Sequence, residues 1–128
     1  MLNHVGLIVD WDVATANVYD GSQFQQIAER HTQHMVLFSD EAFVKKDWHP
    51  ENLKICKRGE WNTRMIVETV LSILTLVCHF KKVMHRAWTY FKTRVGFTLA
   101  LFNILVQWYG LPVEEDGFVP LSIAEFSL

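Results

Sequence analysis

Thr63-Arg-Met-Ile-Val-Glu-Thr-Val-Leu-Ser-Ile-Leu-Thr-Leu-Val77 is the stretch on which the reading of the fold turns. From Met65 to Val77 it is apolar almost all round, so it is expected to form a central, buried helix from Asn62 or Thr63 to about Phe80. Arg64, Glu68, Ser72, Thr75 and His79 recur at helical spacing and form one narrow polar stripe. A carboxylate inside such a groove is costly unless it is paired or holds a metal. Two readings of Glu68 follow: an i, i+4 ion pair with Arg64, or a metal ligand facing a cleft.

Outward from this helix, a second helical stretch covers about His85 to Tyr109, and Gly110-Leu-Pro112 stops it. Residues 111–128 read as loop with one closing turn. Upstream, Gly6-Leu-Ile-Val-Asp-Trp11 and Met35-Val-Leu-Phe-Ser-Asp40 read as strands, with a short helix from about Gln23 to Arg30 between them. Residues 41–63 are irregular, with a short strand at Leu53-Lys-Ile-Cys56. The order strand, helix, strand, helix, helix predicts one α/β domain over residues 1–128. Asp40 then lies at the carboxyl end of a strand, where α/β sheets place ligands; the competing reading is a cap or turn aspartate.

Length and composition suit this picture. The 128 residues are half apolar, 13% aromatic and 20% charged, which excludes a disordered tail or a low-complexity linker. Two cysteines without a CxxC give no disulfide framework, and the histidines form no HExxH or Cys/His zinc pattern. The first residues show no signal peptide, and Val95 to Trp108 is too short and too polar to span a bilayer, so no membrane partner is expected.

The net charge of −2 hides a segregation. Residues 1–44 carry −5, residues 45–94 carry +7 and residues 95–128 carry −4. The basic middle is either a solvated face or a seat for a polyanion.

Ala16-Asn-Val-Tyr-Asp-Gly21, Phe38-Ser-Asp-Glu-Ala-Phe43, Arg58-Gly-Glu-Trp-Asn-Thr-Arg-Met-Ile-Val-Glu-Thr-Val70, and His79-Phe-Lys-Lys82 with Phe102-Asn103 resemble the later part of insertion-sequence transposases with a DDE (Asp-Asp-Glu) domain. The resemblance implies a ribonuclease H-like α/β domain, N-terminally truncated, ending in a pair of long apolar helices. It implies Asp40 and Glu68 as catalytic metal ligands, with Arg64 the catalytic arginine four residues before the glutamate. Trp61 stands where the family has tyrosine, Thr75 where it has lysine and Ala42 where it has glycine. The first catalytic aspartate has no clear counterpart; Asp10 and Asp12 lie out of context.

An intact site of that kind would hold two Mg²⁺ ions for DNA cleavage and strand transfer. Lys45, Lys46, Lys57, Arg58, Lys81, Lys82 and Arg86 would then line a DNA channel, with Trp61 and Trp88 available to stack on bases. The implied partners are the DNA ends of the element and a second copy or full-length transposase. The implied location is the cytoplasm, at the nucleoid. With one carboxylate lacking, the chain is expected to be inactive alone. The alternative is a non-catalytic DNA-binding or protein-interaction module.

Overall fold

In a computed structural model the described residues are 1–33, 35–40, 44, 47–56, 63–84, 86–115 and 117–126; for residues 40, 56, 63–65 and 125 the description covers the backbone alone. In chain order the elements are α1 (Asp20–Glu29), β1 (Leu37–Asp40), β2 (Leu53–Cys56), α2 (Thr63–Leu76), α3 (Trp88–Tyr109) and a closing 3₁₀ turn (Ile123–Phe126). They belong to two units, one made of Met1–Val9 with Thr63–Leu128, the other of Asp10–Asn62.

The first unit is built on α2 and α3. Val70, Ile73 and Leu74 of α2 bury one face, joined by Cys78, by Phe102 and Val106 of α3, and by Phe126 of the closing turn. Ile73 and Phe102 are wholly inaccessible to solvent. Val95, Thr98, Phe102 and Val106 are the buried line of α3, spaced at three and four residues as one helix face requires. The buried Thr98 hydroxyl donates to the Arg94 carbonyl at 2.9 Å and so carries no unpaired polar group into the core. Tyr109 meets Phe126 edge to face at 5.2 Å, which fixes the closing turn to the end of α3.

The N-terminal residues complete this unit without forming the strand expected at Gly6–Trp11. A tight turn brings Leu2 and Ile8 into one antiparallel bridge. Gly6 makes that turn at φ 80°, with Leu121 packed against it. The Asn3 side chain accepts from the Leu7 N–H at 2.8 Å.

α2 departs from expectation twice. It ends at Leu76, short of Phe80, because His79 adopts a left-handed φ of 55° and the N–H groups of Cys78 and Phe80 turn back to the Ile73 and Leu74 carbonyls. Nor is it buried all round: Val67 and Leu71 are each 56% exposed. The polar line is therefore part of a solvent-facing side, on which Glu68 and His79 are exposed. α3 begins at Trp88, later than expected, and stops where the sequence placed its end, with Gly110 left-handed at φ 56°.

The second unit holds α1 and a two-stranded parallel sheet in which Leu37 pairs with Leu53 and Asp40 with Cys56. α1 starts at Asp20, three residues earlier than expected, since the Ser22 and Gln23 N–H groups close on the Tyr19 carbonyl and Asp20 complements the helix dipole. Ala28 and Leu37 are buried, and Phe24 meets Trp48 edge to face at 6.0 Å. Asn52 ties the sheet to the end of α1, its Nδ2 donating to the carbonyls of His31 and Met35.

Candidate functional site

Among the described residues, Asp10, Asp12, Arg30 and His31 form a charged group within the second unit. α1 ends at Glu29, and the two residues that follow present a guanidinium and an imidazole where the last helix carbonyls favour positive charge. Arg30 also donates from Nε to the Gln26 carbonyl at 3.4 Å. The acidic partners come from the extended chain before α1.

Asp10 is the centre of the group. Its Oδ1 accepts from the Trp11 N–H at 2.7 Å and from Arg30 Nη1 at 3.2 Å, and its Oδ2 lies 2.9 Å from His31 Nε2. Arg30 Nη2 reaches Asp12 Oδ2 at 3.5 Å. Asp10 is 16% exposed and His31 21%, so the pair is partly withdrawn from water. Burial alone would raise the Asp10 pKa. The hydrogen bonds from His31 and Trp11, with the charges of Arg30 and His31, outweigh it and hold the carboxyl below its ordinary value. Asp10 is therefore ionised at neutral pH and accepts only, so His31 Nε2 must be the donor. In the neutral imidazole, Nδ1 then keeps the lone pair. Two carboxylates and one guanidinium leave the group with a charge of −1 when the imidazole is neutral.

The sequence-derived site residues fall in both units. Asp40 ends β1 in the second unit, and Glu68 lies exposed on α2 in the first. Arg64 belongs to the first turn of α2; its side chain and that of Asp40 lie outside the described ones. Lys45, Lys46, Lys57, Arg58 and Trp61 lie outside the described residues. Lys81, Lys82 and Arg86 are exposed on the connection between α2 and α3. Trp88 stacks on Phe91 at 5.4 Å and is 45% exposed. Among the described residues no group of three or more His, Cys, Asp and Glu side chains is arranged to hold a metal ion.

Periodicity did not reveal the Asp10 cluster, whose members stand about twenty residues apart. The available signal was the adjacent Arg30-His31 pair beyond a helix end, in a segment otherwise rich in acids.

Over 83 residues the chain is 34% identical to the probable metalloreductase AIM14 of Clavispora lusitaniae (strain ATCC 42720). The match takes in 64% of this chain and 15% of that protein. No known family pattern matches the chain, and no solved structure matches it. The similarity found is with a metalloreductase and not with a transposase, and it corrects the transposase reading together with strand transfer and DNA recombination; it lends no support to the binding-module alternative. The two Mg²⁺ ions, the DNA partner and the ribonuclease H-like fold were implications of that resemblance. Among the described residues no helix is long and apolar enough to cross a membrane.

Proposed function

We propose that this chain takes part in metal-ion reduction, with the metal ion as substrate and the electrons supplied by a separate reductant. The observation that carries the reading is the 34% identity over 83 residues shared with a metalloreductase. The Asp10 cluster supports it. A carboxylate that holds one imidazole nitrogen and leaves the other with its lone pair is the arrangement seen behind metal-facing histidines. With the imidazole neutral, the two carboxylates and one guanidinium leave a local charge of −1, which favours a cation.

The described thiol argues for an external electron source. Cys78 is 5% exposed, and burial raises its pKa, so at neutral pH it is a thiol and a poor electron donor. A nicotinamide hydride carries two electrons, enough to reduce two ferric ions, and releases one proton in the balanced reaction.

The test uses the purified chain with ferric citrate, NADPH and added flavin, reading ferrous ion by its ferrozine colour. The expected result is ferrous production faster than in the same mixture without protein, and slower when His31→Gln replaces the wild type. Equal rates with and without the chain, at every flavin level, would overturn the reading.

A further inference from the structure

A face of α3 turned away from its buried line is apolar and open. Tyr90 is 67% exposed, Phe97 71%, Leu101 42%, Ile104 55% and Trp108 83%. With the exposed Arg94 they advance by four, three, four, three and four residues. That is the alternation of the a and d positions of a coiled coil, and it holds one line straight along a helix. It runs about 27 Å from Tyr90 to Trp108. An apolar line of this length on an open helix face marks an interaction surface.

We propose that this line is the interface for a second copy of the chain, with the two α3 helices packed antiparallel. The spacing reads the same from either end, so a two-fold rotation lays the line on itself. Tyr90 then faces the second copy's Trp108, Phe97 faces Leu101, and Arg94 faces Ile104. A two-fold interface demands this self-complementarity.

Charge fixes the direction. Exposed Lys81, Lys82 and Arg86 precede α3, and exposed Glu114 and Glu115 follow it. An antiparallel pair brings the basic flank of one copy to the acidic flank of the other, at both ends. A parallel pair would set like charges together. The helix dipoles add to the same preference. The seam is short for a permanent interface, so the dimer is one that dissociates on dilution.

Sedimentation equilibrium of the full chain from about 1 to about 300 µM tests this. The expected result is a reversible monomer–dimer equilibrium. Phe97→Glu with Leu101→Glu abolishes it while circular dichroism and the melting curve stay those of the wild type, because both side chains are exposed. Reversing the basic flank (Lys81→Glu, Lys82→Glu, Arg86→Glu) weakens the dimer by at least about fivefold, and adding Glu114→Lys and Glu115→Lys restores it. A chain monomeric at every concentration would overturn the proposal, as would a dimer that survives the Phe97 and Leu101 changes. Failure of the charge restoration would overturn the antiparallel arrangement. A wild type that stays monomeric and sediments with phosphatidylglycerol vesicles would give the line to a lipid surface instead.

Discussion

Asn103, near the C-terminal end of α3, hydrogen-bonds both backbone groups of Ile8. Its Oδ1 accepts from the Ile8 N–H at 2.8 Å, and its Nδ2 donates to the Ile8 carbonyl at 2.8 Å. One amide thus does for Ile8 what a neighbouring strand would do, across 95 positions of sequence. Asn103→Leu removes both partners from a half-buried backbone. The expected cost is about 2–4 kcal/mol, read from chemical denaturation. Asn103→Asp keeps the acceptor, loses the donor and sets a charge against the Ile8 carbonyl, so it is expected to be no better tolerated.

Acid sensitivity follows from Asp10. Its folded pKa lies below the ordinary 3.8, so its contribution to stability is complete above the unfolded value. That contribution is lost as the pH falls through the lower, folded value. Melting curves taken between about pH 7 and about pH 2 should show wild type and Asp10→Asn converging at the acid end, with the wild type the more stable above about pH 4. A variant as stable as wild type at neutral pH would show that the cluster contributes nothing.

The two sides of α3 make opposite predictions. Phe102 is wholly buried, and Phe102→Ala should cost about 3–5 kcal/mol through lost burial and the cavity left behind. Phe97, five residues earlier and 71% exposed, should tolerate Phe97→Ala within about 0.5 kcal/mol in a dilute monomer. Paired denaturation curves check both.

Two glycines share a left-handed backbone and differ in their surroundings. A Cβ on Gly6 would lie 3.2 Å from Leu121 Cδ2, whereas one on Gly110 would meet nothing within 4 Å. Gly110→Ala should cost about 1–2 kcal/mol from the backbone alone. Gly6→Ala should cost more, because Leu121 must also move. Thermal melts of the two variants give the ranking directly.

Much of the secondary structure was legible because it rests on local chemistry. The end of α3 could be read from Gly110-Leu-Pro112, and β2 from Leu53-Lys-Ile-Cys56. The closing turn fell in the tail where one was expected. What escaped depends on distant partners. The exposed side of α2 is as apolar by composition as a buried one, and nothing in Val67 or Leu71 themselves says that each is 56% exposed. The strand expected at Gly6–Trp11 had the right residues, but its backbone is served by an asparagine side chain far along the chain. Asn103 was visible as a break in an apolar run; what it breaks the run for was not. Asp10 lies out of context in the transposase resemblance, and its company of Arg30 and His31 is a tertiary fact.

The first unit is stitched from the two ends of the chain, with the whole of Asp10–Asn62 between its pieces. On a ribosome adding about 5–20 residues per second, Ile8 emerges several seconds or more before Asn103 has been made. Through that interval Met1–Val9 lack the helices they pack on, and Leu2, Leu7 and Ile8 are open to any passing apolar surface. Production of this protein should therefore respond to whatever shelters Leu2, Leu7 and Ile8 while residues 63–128 are being made.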